Sequence, residues 1–198
     1  MSGIQKILSF LAGRANILIR VAVTEPLQAI SSDITEIWYQ GGTKRLYLAT
    51  HKDVYGQYVY GWKLANTMTV DLVIESLTMA WSAIQKFTKG NPPTNLIIHQ
   101  DRGSQYTSYE YVMQVVKIHG RISFSDPGTP THNPGQESFH GRFKEEWAEE
   151  ILEIQTEQEV RRFVEEKIDD YNGDRLHTSI GLLSPIRYMK RFLKISGY

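Results

Sequence analysis

The sequence predicts an α/β fold in which a five-stranded mixed sheet is flanked by helices. Three β-rich runs come first, and two short apolar runs follow later in the chain. A helical pattern precedes each of these two short runs, and further helical patterns follow the second one. The element order is therefore βββαβαβ and then helices. Consecutive strands joined by tight turns pair antiparallel, whereas strands separated by a helix pair in parallel. A sheet built from this order is expected to contain both kinds of pairing.

The first three strands are predicted at "DITEIWYQ" (33–40), "RLYLATHKDV" (45–54) and "QYVYGWKL" (57–64). The connecting residues "GGT" and "YG" permit tight turns, so an antiparallel meander is expected. A helix follows, because apolar residues recur at helical spacing up to Gly90 and "NPP". These residues are Val70, Val73, Ile74, Leu77, Trp81 and Ile84.

The second half continues with "NLIIH", a short apolar run typical of a strand covered on both faces. Residues 108–119 predict a helix closed by Gly120, and "RISFS" predicts the last strand. Asn133 as N-cap, Pro134 at the first helical position and Gln136 at the capping-box position predict the next helix. Two more helices are expected. One begins at a capping box of Thr156 and Glu159, with an apolar stripe of Val160, Phe163, Val164, Ile168 and Tyr171, and the other follows Pro185.

The composition restricts the classes of function. The chain has 22 basic and 22 acidic residues, which gives no global signal for a nucleic-acid partner, and it has no Cys. A disulfide framework and a cysteine zinc site are therefore excluded, and a cytoplasmic location is expected. No apolar run is long enough to span a membrane. Because the net charge is zero, a DNA partner must be argued from local patches, and one candidate DNA-binding face has helical spacing after Pro185: Arg187, Lys190, Arg191 and Lys194. A solvated helix face explains this spacing equally well.

Two aspartates occupy unusual positions on the predicted strands. Asp101 directly follows the apolar run of "LIIHQDRGSQY", at the strand end where open α/β sheets bind ligands. His99 is expected on the same face, because strand side chains alternate. Asp33 lies on the first strand, opposite in face to Ile34, although Asp is poorly suited to strands. Taken singly, a turn explains Asp101 and an exposed strand position explains Asp33.

The helix predicted after Asn133 adds a third carboxylate, Glu137, and so favours a shared site over these separate explanations. At 100° per residue, Asn133, Glu137 and Lys144 share one sector of the helix. The aromatic residues Phe139, Phe143 and Trp147 cluster on a separate sector. Three carboxylates from two strands and a helix form an oxygen-rich site of the kind that Mg²⁺ or Mn²⁺ prefers. Two such ions clamp the attacking and leaving oxygens of a phosphodiester, and a nearby Lys holds a phosphate.

The surrounding motifs resemble a known family. Asp33, Asp101 and Glu137, with 35 residues between the last two, resemble the DD(35)E signature of retroviral-type integrase catalytic cores. The segments "DIT", "YLATHKDVYGQYVYGW", "HQDRGSQYTS", "NPGQESFHGRFKEEW" and "YNGDRLHTSIGLLSPIRYM" resemble, in order, the enzyme half of bacterial transposases of the insertion-sequence-three family. The resemblance extends over roughly residues 14–192.

The resemblance implies a ribonuclease-H-like core in which Asp33, Asp101 and Glu137 are catalytic metal ligands for Mg²⁺ or Mn²⁺, with two ions expected. It implies that Lys144 contacts DNA near the catalytic centre. Further residues are motif neighbours: His99, Gly103 and Gln105 shape the site, and Arg102 and Asn133 are expected to contact DNA. The chain departs from the family pattern at Ile30, Glu36, Gln100 and His132, and none of these departures removes a ligand.

The resemblance also implies a domain division and partners. Residues 1–30 are expected to be the remnant of an upstream helical segment, 31–153 the catalytic core, and 154–198 a helical extension. The chain is expected to be a catalytic half or a truncated copy. DNA is the expected partner, at transposon ends and at the target. A homo-oligomer is expected in the active complex, which associates with the nucleoid when active, and end recognition is expected to need a separate helix-turn-helix protein.

Three functions remain open at this point. The favoured one is a metal-dependent polynucleotidyl transferase that cleaves DNA at transposon ends and joins the 3′-hydroxyl to target DNA. The second is a non-catalytic remnant that regulates by binding DNA or full-length transposase. The third is a ribonuclease-H-like nuclease without strand transfer, which would require a fourth acidic ligand. Asp53 and Asp126 are spare acids, and ordinary turn roles are expected for both.

Overall fold

The computed structural model describes residues 16–125 and 134–195, with the side chains of all of these except 134–137. The strands and helices alternate much as the sequence predicts. Five strands are present among the described residues: β1 (Ala29–Tyr39), β2 (Lys44–Asp53), β3 (Val59–Ala65), β4 (Ile97–Gln100) and β5 (Arg121–Phe124). The helices are α1 (Val70–Phe87), α2 (Tyr109–Lys117), α3 (Pro134–Glu153), α4 (Glu157–Gly173) and α5 (Pro185–Phe192), with a short 3₁₀ turn at Thr178–Ile180.

The five strands form one mixed sheet in the order β3-β2-β1-β4-β5. The first three pair antiparallel, and β1, β4 and β5 pair in parallel. The predicted meander and the predicted mixed sheet are therefore both confirmed. Strand β1 lies at the centre and β4 is its parallel neighbour, so residues at the carboxyl ends of these two strands meet.

Helices cover both faces of the sheet. Helices α1 and α2 pack on one face, in a core that includes Ile30, Ala49, Leu77, Ile98 and Val112. Helix α1 approaches β3 closely at Gly61, where a Cβ atom would lie 2.3 Å from the backbone oxygen of Ser76 and 2.4 Å from the nitrogen of Ala80. Only glycine fits this contact, so Gly61 fixes how near α1 lies to the sheet.

Helices α3 and α4 cover the opposite face. Phe139 and Phe143 of α3 and Val160, Val164 and Ile168 of α4 pack in one cluster with β1, β2 and β3. The aromatic sector predicted for α3 and the predicted stripe of α4 therefore both pack into this cluster, with Trp147, Phe163 and Tyr171 partly buried at its edge. The predicted division at residue 153 stays a prediction, and what the structure shows is that α4 shares a hydrophobic core with α3.

The ends of the helices follow from local chemistry. Thr156 and Glu159 form the predicted capping box at the start of α4. Helix α3 begins at Pro134 as predicted, while Asn133 lies outside the described residues. Helix α5 ends at Phe192, so Lys194 lies beyond it and is not on the helical basic face that the spacing predicted. Lys194 has a left-handed φ of 52°, which is incompatible with continuing the helix.

The end of α4 and the residues after it are attached to the sheet and to α3 by polar side chains. Asn172 accepts a hydrogen bond from the backbone nitrogen of Val59 at 2.9 Å and donates one to its oxygen at 3.0 Å. Strand β3 is an edge strand, and Asn172 occupies the place that a further strand would take. Arg175 pairs with Glu146 of α3 through two hydrogen bonds, of 2.6 and 2.5 Å. Asn172 thus joins the end of α4 to β3, and Arg175 joins the chain after α4 to the helix that carries Glu137.

Candidate active site

Asp33 and Asp101 are brought to the same place by the parallel pairing of β1 and β4. Ser31 is paired with His99, and each aspartate lies two residues beyond its own member of that pair. Side chains two residues apart in a strand lie on the same face, so both carboxylates are expected on the face that α3 covers. The geometry confirms the predicted position of Asp101 directly after the buried strand.

Asp101 lies in a tight turn that holds one of its oxygens. Its Oδ1 accepts a hydrogen bond from the backbone nitrogen of Gly103 at 2.9 Å. A Cβ atom at position 103 would lie 3.0 Å from that oxygen, so glycine leaves room for the carboxylate. Asp101 reaches solvent, but the surrounding protein partly buries its carboxyl and so raises the pKa of Asp101; the Gly103 N–H lowers this pKa, and the negative charge of Asp33 raises it again. The two carboxylates therefore repel each other in the metal-free protein, and a cation between them would relieve the repulsion.

Asp33 is held by hydrogen bonds to both oxygens. Its Oδ1 accepts from the backbone nitrogen of Ile34 at 2.8 Å, and its Oδ2 lies 3.2 Å from Nδ1 of His140 in α3. The other ring nitrogen of His140, Nε2, lies 2.9 Å from Oγ1 of Thr50. Thr50 is the cross-strand partner of Asp33 on β2. The two side-chain contacts, from Thr50 to His140 and from His140 to Asp33, thus connect β2, α3 and β1.

His140 is the site residue that sequence reasoning missed. The only available signal is its position three residues after Glu137, which puts both on neighbouring turns of one helix. A histidine beside a phenylalanine in an amphipathic helix is as easily interpreted as a core residue, and His140 is indeed only 4% exposed. Its contact with Asp33 depends on tertiary packing, which the local sequence does not encode.

A buried tyrosine supports β1 from the other face of the sheet. The hydroxyl of Tyr106 lies 2.8 Å from Oγ of Ser32, the residue before Asp33, and both are buried. Burial holds the pKa of Tyr106 well above its ordinary value. The phenol therefore stays neutral and keeps its hydrogen to share with Ser32. This contact ties the turn after β4 to the strand that carries Asp33.

The remaining predicted neighbours of Asp101 have different surroundings. His99 is fully buried, and its Nδ1 lies 2.8 Å from Oγ of Ser123 on β5, so it belongs to the sheet interior. Gln105 donates a hydrogen bond to the backbone oxygen of Met68 at 3.0 Å and so attaches the turn to the chain before α1. Arg102 is exposed to solvent beside Asp101.

Helix α3 carries the remaining predicted site residues. Lys144 is exposed, on a side of the helix that the aromatic core leaves free. Glu137 is a residue of α3, but its side chain, like all of Asn133 and Asp126, lies outside what the structure describes. Among the described side chains, no three His, Cys, Asp or Glu residues form a metal-binding group. This absence does not test the predicted metal ligands Asp33, Asp101 and Glu137, because the side chain of Glu137 is not among those described.

Asp53 has the turn role predicted for it. It is fully buried, and its carboxylate accepts hydrogen bonds from the backbone nitrogens of Leu27, Tyr55 and Gly56 and from the hydroxyl of Tyr60. Burial raises the pKa of Asp53, and these four donors oppose the shift. All four contacts are structural, so Asp53 closes the β2–β3 turn.

The basic residues of α5 lie on the surface of the molecule. Arg187 and Arg191 are exposed and Lys190 is half-buried. On the opposite side of the helix, Met189 is fully buried and its sulfur lies 3.7 Å from the hydroxyl oxygen of Tyr60. The helix is therefore fixed to the core by its apolar side and presents its arginines to solvent.

Comparison with known proteins identifies the family. A family model described as "Integrase core domain" matches residues 23–130, and a second model of the same description matches residues 119–185. The chain belongs to the integrase core domain family. The resemblance to insertion-sequence-three transposases that the motifs indicated is confirmed.

Curated relatives are transposases of bacterial insertion sequences. The chain is 32% identical over 170 residues to the transposase for insertion sequence element IS904 of Lactococcus lactis, covering 84% of this chain and 63% of the relative. It is 34% identical over 170 residues to transposase InsF for insertion sequence IS3A of Escherichia coli, covering 85% of this chain and 56% of the relative. The chain thus spans a little over half the length of these relatives.

Solved structures confirm the ribonuclease-H-like fold. The catalytic domain of Mos1 mariner transposase matches with a TM-score of 0.64 at 13% identity, covering 96% of this chain and 86% of that one. The HTLV-2 integrase catalytic core domain in complex with magnesium matches with a TM-score of 0.60 at 13% identity, covering 83% of this chain and 97% of that one.

None of the helices that the structure describes has the length and apolar character needed to cross a membrane.

Proposed function

We propose that the chain is the catalytic part of a DNA transposase that cuts the ends of an insertion sequence and joins them to target DNA. The observation that carries the proposal is the position of Asp33 and Asp101 at equivalent points of two neighbouring parallel strands. The contact between His140 and Asp33 adds support, because it brings α3 against the same point. Glu137 lies three residues before His140 in that helix, within one helical turn of it.

The donor set fits a divalent cation. Two carboxylates lie near enough for the charge of Asp33 to raise the pKa of Asp101, and such a pair favours a hard cation. We propose Asp33, Asp101 and Glu137 as the residues that hold Mg²⁺ or Mn²⁺, with two ions bound in the active complex. A relative in fold, the HTLV-2 integrase core, was solved with magnesium. When bound, the ions stabilise negative charge on the attacking and leaving oxygens of a phosphodiester.

The reaction proposed for this site has two steps. In the first, the oxygen of a water molecule attacks the phosphorus at the transposon end, the bond from phosphorus to the 3′-oxygen breaks, and a 3′-hydroxyl is released. In the second, that hydroxyl oxygen attacks a target phosphodiester, whose own 3′-oxygen leaves. Lys144 holds a DNA phosphate beside the site as a point charge, and Arg102 and Asn133 contact the same strand.

Partners are proposed from the same reasoning. Two transposon ends must meet one target, so a homo-oligomer is proposed for the active complex. One neighbour in fold is the integrase of a simian T-cell lymphotropic virus intasome, with a TM-score of 0.69 at 17% identity. Recognition of the terminal repeats is proposed to lie in a separate helix-turn-helix polypeptide or domain, and the site of action is proposed to be the bacterial nucleoid.

A cleavage assay tests the proposal. The purified chain is incubated with a labelled duplex oligonucleotide in Mg²⁺, in Mn²⁺ and in EDTA, and the products are resolved on a denaturing gel. Nicked strands and longer joined strands that require the metal would support both steps. DNA binding without any nicking in either metal would contradict the proposal and favour a non-catalytic, regulatory remnant. Nicking without joined products would favour a nuclease.

A further inference from the structure

Asp33 is the only carboxylate of the proposed site whose two oxygens both have hydrogen-bond partners among the described residues. Ile34 N donates to Oδ1 at 2.8 Å, and His140 Nδ1 lies 3.2 Å from Oδ2. The Asp33 side chain is 31% exposed, whereas that of His140 is 5% exposed. The carboxylate therefore faces the site while its partner is enclosed in protein.

The hydrogen-bond directions along this chain follow from elementary chemistry. An ionised carboxylate only accepts hydrogen bonds, so Nδ1 of His140 carries the proton that is shared with Asp33. In the neutral ring Nε2 then accepts from the hydroxyl of Thr50, and in the charged ring it donates to that hydroxyl. Either form of the ring leaves Nδ1 as a donor to Asp33, and Thr50 fixes the plane of the ring.

We propose that His140, oriented by Thr50, is a positioning residue that holds the Asp33 carboxylate in the geometry required to bind the metal. The proposal rests on the metal site of the proposed function. Each Asp33 oxygen accepts one hydrogen bond, and a carboxylate has about four lone-pair positions, so lone pairs on both oxygens remain for a cation. Partners of metal ligands that lie outside the coordination sphere typically contribute about 10- to 100-fold to metal affinity or activity.

The position of His140 also connects two ligands. Asp33 belongs to β1 and Glu137 to α3, and the bond from His140 to Asp33 runs between these two elements near the proposed site. Thr50 and Asp33 are paired across β2 and β1, so the ring is held from two adjacent strands.

Packing alone is the competing explanation, because His140 is buried beside Phe139, with ring centroids 5.4 Å apart. Two substitutions separate the explanations. His140→Phe keeps a ring of similar shape and removes both polar contacts. His140→Asn loses ring volume but places an amide nitrogen near the position of Nδ1, where it can donate to Asp33. Positioning predicts that the Phe variant loses metal affinity and the Asn variant retains it, whereas packing predicts the opposite order.

The experiment measures Mn²⁺ binding directly, by electron paramagnetic resonance of the free ion, without DNA and without catalysis. The expected result is a dissociation constant raised about 10- to 100-fold in His140→Phe and close to that of the wild type in His140→Asn. Thr50→Val is expected to raise the Mn²⁺ dissociation constant by less than His140→Phe does. Thr50→Ser keeps the hydroxyl, so its dissociation constant is expected to be close to that of the wild type. Thermal melting shows that each variant is folded.

His177→Phe is the matched control, because it makes the same chemical change at another histidine, one that is half-buried. His177 packs on Tyr171, with ring centroids 4.9 Å apart, and its backbone nitrogen donates to the oxygen of Leu183. The Mn²⁺ affinity of the His177→Phe variant is expected to equal that of the wild type. Asp33→Asn is the reference for a lost ligand.

The outcomes distinguish the inference from the function on which it rests. If Asp33→Asn loses Mn²⁺ binding while His140→Phe binds as the wild type does, the positioning role is overturned and the metal site stands. If the wild type and Asp33→Asn bind Mn²⁺ equally, the metal site at Asp33 is wrong, and the role of His140 falls with it. If His140→Asn does not fold, the pair Thr50→Val and Thr50→Ser decides, and equal affinity in both overturns the inference.

Discussion

Asp33 and Asp101 lie at equivalent points of two neighbouring strands, each two residues beyond the paired residues Ser31 and His99. This relationship follows from a parallel pairing in which β4 is inserted beside β1, after a helix has crossed the sheet. It brings together carboxylates that are 68 positions apart in the sequence. Partial burial raises the pKa of Asp101 most, and the charge of Asp33 raises it further, as expected for neighbouring carboxylates.

Removal of either aspartate's charge, or that of Glu137, is expected to stop catalysis. Asp33→Asn, Asp101→Asn and Glu137→Gln each keep the shape of the side chain and remove a charge that we propose holds the metal. Nicking and strand transfer in Mg²⁺ are expected to be abolished, because a hard cation is held by carboxylate charge. A gel assay with each purified variant checks this, with circular dichroism to establish folding. Full activity in any one variant would remove that residue from the ligand set.

Asp101→Asn is expected to stabilise the metal-free protein at neutral pH. The folded pKa of Asp101 is raised above its ordinary value of 3.8, so the folded state binds this proton more tightly than the unfolded state does. Ionisation therefore costs stability above the folded pKa, and the cost disappears as the pH falls toward 3.8. Asp101 is exposed, so solvent screening limits the gain to about 0.5 kcal/mol, or about 1–2 °C in melting temperature.

Melting temperatures of the wild type and of Asp101→Asn in EDTA, measured from pH 7 down to pH 4, test this expectation. The difference should shrink as the pH is lowered. Added Mn²⁺ should reverse the order at pH 7, because only the wild type gains from binding the ion. A variant that is less stable than the wild type at pH 7 in EDTA would contradict the raised pKa of Asp101.

The sequence was sufficient to predict the strands of the meander, because their signals are local. Alternation and turn residues encode the three meander strands, and a capping box at Thr156 and Glu159 encodes the start of α4. The predicted extent of α5 was wrong because charge spacing carries no information on where a helix stops, and Lys194 lies beyond Phe192.

The contacts of His140 and Asn172 were not predictable, for a different reason. Each depends on a partner more than 100 positions away, His140 on Asp33 and Asn172 on Val59. No periodicity, cap or turn signal connects residues so far apart. His99 illustrates the same limit, since alternation placed it on the expected face but gave no sign of its bond to Ser123.

Asn172→Ala is expected to destabilise the protein by about 2–4 kcal/mol. The change removes two hydrogen bonds and leaves the backbone nitrogen and oxygen of Val59 buried without these partners, each costing about 1–3 kcal/mol. Urea unfolding checks the magnitude, and faster hydrogen exchange at the Val59 amide would localise the effect. Asp174→Ala, at an exposed position two residues further along, is the control and is expected to change stability by less than about 0.5 kcal/mol.

Lys52→Met is expected to stabilise the protein at pH 7. Lys52 is fully buried on β2, and burial lowers its pKa to about 8 from 10.5 although the charge of Asp53 opposes the shift. Because the folded pKa lies below the unfolded one, the charged Lys52 costs stability below pH 8, and the cost disappears as the pH rises to 10.5. The cost amounts to about 3 kcal/mol, against which the variant loses the 2.7 Å bond from Nζ to Gln57.

Urea unfolding at pH 7 and pH 10 tests the role of Lys52. The gain from Lys52→Met should be large at pH 7 and small at pH 10. Lys117→Met on α2 changes the same side chain at an exposed position and is expected to be neutral at both values. An equal gain at the two pH values would indicate that packing, and not the buried charge, accounts for the effect.

DNA binding by this chain is expected to be weak, sensitive to salt and nearly independent of sequence. The chain has a net charge of zero, so affinity depends on local cations, of which Lys144 on α3 and Arg187 and Arg191 on α5 are exposed. Each phosphate contact contributes a slope of about −0.9 in a plot of log affinity against log salt concentration. Lys144→Ala and Arg187→Ala should therefore each reduce that slope by about 1, equally for terminal-repeat and random duplexes.

Fluorescence anisotropy with both duplexes over a range of salt concentrations measures the slopes, and Lys117→Ala, exposed on α2, is the control that should leave them unchanged. Footprinting addresses where end recognition lies. Since phosphate contacts carry no sequence information, an isolated chain that relies on them should not prefer the terminal repeat. Protection of a terminal inverted repeat by this chain alone, at nanomolar concentration and physiological salt, would place end recognition within it and make the exposed arginines of α5 the first residues to substitute.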